Sequence, residues 1–86
     1  MDEAEVEVCL RFSAAASQRV KESIWHHSQR LVDLADGGCD LYMRVGGIRE
    51  LRSWVLGWGC EVEVLAPQQL RDEICEHARR MVTMYQ

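Results

Sequence analysis

Residues Glu5 to Phe12 read Glu-Val-Glu-Val-Cys-Leu-Arg-Phe, with Val6, Val8, Leu10 and Phe12 on every second position. Successive side chains of a β-strand point to opposite faces, so this spacing predicts a strand with one buried face and one wet face. Cys39 to Val45 repeats the alternation: Cys39, Leu41, Met43 and Val45 face one way, and Asp40, Tyr42 and Arg44 the other. Glu61 to Leu65 repeats it again, with Val62 and Val64 inward. Such strands can only be buried by something laid over the apolar side.

The stretches between the strands have helical spacing. Ser13 is placed to cap a first helix, with Ala16, Val20 and Ile24 as its stripe. Trp25 to Ser28 reads as a connection and Gln29 to Leu34 as a second, less regular strand. Asp36-Gly37-Gly38 is a hairpin signal, because glycine takes positive φ without steric cost. Ile48, Leu51, Val55 and Trp58 form a second helical stripe, with Trp54 beside it and Gly59 ending it. Pro67 suits the first position of a last helix, along which Leu70, Ile74, Ala78, Met81 and Tyr85 make an apolar stripe.

The order is therefore β-α-β-β-α-β with one helix more. Two split βαβ units predict an α+β, ferredoxin-like sandwich: a four-stranded antiparallel sheet of order 4-1-3-2 with both middle helices on one face. The 86 residues are filled by this single domain, 1–86. No internal linker or low-complexity tract divides it.

Charge narrows the function. Ten Lys and Arg against 14 Asp and Glu leave a net charge of −4, whereas a domain that grips nucleic acid by itself carries a basic excess. The start, Met1 to Glu5, is acidic where a secretory signal is basic and then apolar. No apolar run approaches the ~20 residues of a membrane span. Four cysteines at 9, 39, 60 and 75 lack C-x-x-C spacing; in the absence of a signal they are expected as reduced thiols of a cytoplasmic protein. Most of them fall on apolar stripes and read as small hydrophobes; Cys9 is the exception, on the outer sheet face, and is a candidate reactive thiol.

The residues spell no catalytic set. There is neither a nucleophile elbow nor a phosphate loop, and His26, His27 and His77 lack metal-ligand spacing, so no cofactor or metal is expected. The outer sheet face carries Glu5, Glu7, Cys9, Arg11, Asp40, Tyr42, Arg44, Glu61 and Glu63. Tyr42 alone offers a base-stacking ring, and the face reads as either a solvated mixed-charge surface or a docking surface. Trp58 is expected in the core; Trp25 and Trp54 are open between the core and a partly exposed contact. His26, Ser28, Gln29 and Arg30 gather donors at a loop-to-strand edge, where ordinary turn bonding competes with anion binding.

Two stretches carry a resemblance. One runs from Trp25 through His-His-Ser-Gln-Arg-Leu-Val-Asp-Leu and Asp-Gly-Gly to Asp40-Leu-Tyr-Met-Arg-Val45. The other is Leu51-Arg-Ser-Trp-Val-Leu-Gly-Trp-Gly59, then Glu61-Val-Glu-Val-Leu-Ala-Pro67 and Leu70-Arg71. Together they resemble the WCX domain, the C-terminal extension of WYL-domain transcriptional regulators. The likeness covers about Glu5 to Tyr85, with His27 and Cys60 where members often show proline. It implies a ferredoxin-like fold at the end of a longer bacterial regulator, behind a winged helix-turn-helix and a WYL domain. It implies a non-catalytic regulatory and dimerisation module that contacts the WYL domain of its own chain and has single-stranded nucleic acid as a suggested effector, with no membrane partner. His26, Ser28, Gln29 and Arg30, with Arg44 on the neighbouring strand, are the residues carried over as a ligand or interdomain edge. A small-molecule sensor of ferredoxin-like build is the alternative. An acylphosphatase-like enzyme ranks last, because Phe12-Ser13-Ala14-Ala15 offers no anion cradle.

Overall fold

The computed structural model describes residues 5–86, so the acidic start at 1–4 lies outside the described residues. The elements are β1 (Val6–Phe12), α1 (Ala14–Lys21), β2 (Arg30–Asp33), β3 (Cys39–Val45), α2 (Arg49–Gly57), β4 (Val62–Ala66) and α3 (Gln68–Met84), with a 3-10 turn at Gly59–Glu61. The four strands form one antiparallel sheet in the order β2-β3-β1-β4. This is the 4-1-3-2 arrangement of the ferredoxin-like pattern, with α3 added.

Register follows from the alternation. Val8 stands opposite Met43 and Leu10 opposite Leu41, so both central strands turn their apolar sides the same way. Those residues pack with Phe12 and Val64 from the sheet, Ala16 and Val20 from α1, Val55 from α2 and Leu70 from α3 in one core. All three helices therefore share the apolar face. Burying that face is the main stabilisation, at roughly 1.5–3 kcal/mol for each large aliphatic side chain removed from water.

Local chemistry places the element ends. The Ser13 hydroxyl accepts the Ala16 N–H at 3.3 Å and caps α1 as expected; it also donates to the Glu61 carboxylate. In the β2–β3 hairpin Gly37 takes φ +93°, and the Asp36 carboxylate accepts the Gly38 N–H at 2.8 Å. A Cβ on Gly38 would collide with the Phe12 carbonyl. Gly59, at φ +64°, follows the end of α2 in the left-handed conformation that stops a helix.

Several expectations are corrected. Ile24 is not on the α1 stripe; it lies past the helix and is 83% exposed. A continuing helix would bond the Val20 carbonyl to the Ile24 N–H. Instead the Trp25 indole N–H donates to that carbonyl at 2.8 Å and takes its place. Glu61 belongs to the 3-10 turn rather than the outer sheet face, held there by Ser13. Pro67 precedes α3 as its cap residue, since its extended ψ of 166° is not helical. Asp40 points outward yet is only 4% exposed, because its cross-strand neighbour Arg11 folds over it. Cys60 and Cys75 are exposed, while Cys39 is in the core as a small hydrophobe; all four thiols are free.

The largest departure is in α3. Leu70 is buried and Ile74 packs against the core, but Met81, Met84 and Tyr85 farther along the same helix are exposed. The helix leaves the body after two turns. The radius of gyration is accordingly 13.5 Å, where a compact chain of this length has about 12 Å.

Candidate functional site

Two depressions flank β3, one on each side of the sheet, and of the residues singled out from the sequence His26 lines one, Ser28, Arg30 and Arg44 the other, and Gln29 neither. On the outer face Ser28, Arg30, Tyr42, Arg44 and Glu7 line a shallow hollow of about 240 Å³. On the helical face a larger cleft of about 490 Å³ is lined by Trp25, His26, Met43, Val45, Leu51 and Trp54, with Glu50 at its edge.

The loop between α1 and β2 is built from its own polar side chains. Gln29 Oε1 accepts the backbone N–H groups of Trp25 and His26, and its amide nitrogen donates to the Ser23 carbonyl at 3.5 Å. Ser28 acts in place of a strand residue: its hydroxyl accepts the Arg44 N–H at 2.9 Å and lies 3.2 Å from the Arg44 carbonyl. The same hydroxyl stands 2.7 Å from His26 Nδ1, which receives the Ser28 N–H at 3.2 Å. A hydroxyl has one hydrogen, so it serves the Arg44 carbonyl or the imidazole, not both at once. His27 stacks on His26 with ring centres 4.3 Å apart. Gln29 and Ser28 thus spend their donors on the loop, and His26 turns to the cleft rather than to the hollow.

Arg30 and Arg44 keep their charge at the surface. Arg30 lies over the Tyr42 ring, its guanidinium carbon 4.5 Å from the ring centre. Arg44 Nε is 3.5 Å from Glu7 Oε2 across the strands. Next to them, Arg11 grips Asp40 with both arms of its fork, Nε to Oδ1 at 2.8 Å and Nη2 to Oδ2 at 2.9 Å. That pairing holds the Asp40 carboxyl below the usual carboxylate range and raises the Arg11 guanidinium. Cys9 faces Tyr42 across the strands, and burial pushes its thiol up, away from the thiolate a reactive cysteine needs. The outer face is a tight mosaic of opposite charges.

Sequence reasoning did not foresee the cleft, although its parts are in the sequence. β1 and β3 have seven residues each and α1 has eight. Seven strand residues span ~23 Å and eight helical residues ~12 Å. A helix that short covers about half the strands; at the far end Val45 is only partly buried, and with an edge of the core residue Met43 it floors the cleft. Trp25 and Trp54 wall it, ring centres 5.1 Å apart, and Trp54 and Trp58 continue inward to meet Phe12 edge-on. Trp58, expected in the core, is partly buried and packs against it, its face covered by the Arg19 guanidinium, while Trp25 is 38% exposed.

The aromatic ladder that closes the helices on the sheet is made of the same tryptophans that end in Trp-Gly after α2. A family model, the WCX domain, matches residues 4–82. The chain belongs to the WCX domain family. The match spans every strand and helix except the last turn of α3. No curated protein matches the chain. Among the described residues of this WCX domain, no helix is long and apolar enough to cross a membrane, and no three His, Cys, Asp or Glu side chains stand together as metal ligands.

Proposed function

We propose that this WCX domain is a non-catalytic regulatory and dimerisation module of a WYL-type transcriptional regulator, in contact with the WYL domain of its own chain. The observation that carries the reading is the outer half of α3, an ordered helix with Met81, Val82, Met84 and Tyr85 exposed. Exposed apolar side chains grouped on one element mark a contact surface rather than a solvated one. Membership of the WCX family supports the regulatory role, and the net charge of −4 supports a part that does not grip duplex DNA.

Sedimentation equilibrium tests self-association. A dimer at micromolar to millimolar chain is expected, and a strict monomer at the highest concentration overturns it. For the nucleic-acid effector, the surface that supports binding is Arg30, Tyr42 and Arg44; their mixed surroundings predict weak affinity for single strands, lost further on Arg30→Ala. Tight binding of duplex DNA by this domain contradicts the proposed division of labour.

The second reading, a small-molecule sensor, draws on the tryptophan cleft, whose volume is that of a ligand pocket. A metabolite thermal-shift screen separates it, since a ligand at 100 times its Kd adds about 2.7 kcal/mol.

A further inference from the structure

The apolar stripe of α3 projects from the body and the tryptophan cleft is recessed into it, and among the described residues nothing covers either. Leu70 and Ile74 begin the stripe inside the body; Ala78, Met81 and Tyr85, with Met84 beside them, continue it at the same helical spacing outside. The projecting part, from Cys75 onward, is about 15 Å of helix. It is a convex ridge of flexible and aromatic side chains. The cleft is concave, with Met43 and Val45 as floor and Trp25, Leu51 and Trp54 as walls. Gly46 and Gly47 stand at its mouth with open space where a side chain would be.

Within one chain the two cannot meet. α3 lies against β4 and α2, and it is tied to α2 through Arg52, whose Nη1 is 3.3 Å from Glu73 Oε1. The cleft opens beside Leu51 and Trp54 of the same helix, away from the Arg52 side. A straight helix held on one flank of α2 does not bend back to the other. A second copy can present its ridge there. Charge matches as well: Arg80 flanks the ridge, Glu50 stands at the edge of the cleft, and neither has an ion-pair partner among the described residues.

We propose that the outer half of α3 seats in the tryptophan cleft of a second copy, reciprocally, so that Arg80 of each protomer meets Glu50 of the other. This rests on the self-association reading and names the surfaces that perform it. Reciprocal seating is a two-fold arrangement in which each chain gives one ridge and one cleft. The doubled contact brings the buried area to the order of 1,200 Å², where specific dimers begin.

The test is charge reversal on the whole chain. Glu50 and Arg80 are both exposed, so Glu50→Arg and Arg80→Glu leave the fold intact, which circular dichroism checks. Each variant alone places like charges at both contacts and is expected to raise the dimer Kd at least tenfold. Mixed in equal amounts, the two variants pair opposite charges at both contacts, and a heterodimer within about threefold of the wild-type Kd is expected. A wild-type dimer that neither reversal weakens overturns the seating and leaves self-association standing. A mixture that forms no heterodimer also overturns it. A monomeric wild-type chain overturns the seating and the self-association reading together.

Discussion

Asp40 is the residue whose environment departs most from its position in the pattern. It alternates outward, yet Arg11 covers it and takes both carboxylate oxygens. Its carboxyl is held below the ordinary value, so the unfolded chain binds the proton more tightly than the folded one. The stability from this pair is present above the unfolded pKa of about 3.9 and is lost as pH falls through the lower folded value. Urea melts of the wild type should therefore weaken from pH 5 to pH 3, and Asp40→Asn should flatten that acid limb while lowering stability at pH 7. Thiol chemistry separates the four cysteines in the same way, by surroundings. With a colourimetric disulfide reagent at pH 8, Cys60 and Cys75 should react first and Cys9 slowly; Cys39 should react only after unfolding. Rapid labelling of Cys9 would contradict its burial against Tyr42.

Elements differ in how much of their pattern the fold uses. β1 uses nearly all of it: Val8, Leu10 and Phe12 are buried, as their sequence spacing implies, and Val6 packs partly buried against them. α1 uses two residues of its predicted stripe, Ala16 and Val20, because an indole N–H replaces the backbone donor that the next turn would need. α3 uses its first two turns. Leu70→Ala should thus cost about 2–5 kcal/mol in denaturant melts, as a fully buried leucine does. Tyr85→Ala, on the same stripe but 83% exposed, should change monomer stability by less than about 0.5 kcal/mol. The hairpin offers a third contrast. At Gly38 the Phe12 carbonyl occupies the space of a side chain, so Gly38→Ala should destabilise by more than about 1 kcal/mol.

At the scale of the whole molecule, a flat body with one projecting helix measures 40 × 39 × 18 Å. Small-angle scattering at dilution should return a radius near that of the extended form. A value near the ~12 Å of a compact chain would mean that α3 folds back. The two depressions also belong to this scale. Neither is a sequence motif: each gathers residues from a loop, a strand and a further strand or helix.

Strand order, the shared apolar face, the Ser13 cap, the Gly37 and Gly59 turns and the family likeness were all legible in the chain. The alternation, the cap and the turns follow from side-chain spacing and backbone sterics, which act within a few residues, and the strand order from the handedness of the βαβ crossovers. The cluster of His26, Ser28, Gln29, Arg30 and Arg44 was legible as a neighbourhood but not as an arrangement, since which donors the loop would spend on itself depends on where Arg44 lies across the sheet. The tryptophan cleft and the bare half of α3 were decided by tertiary structure alone. Periodicity says which side of a helix is apolar; how far that side is covered depends on the reach of the neighbouring elements. Here α1 is too short for β3, and the body ends two turns into α3.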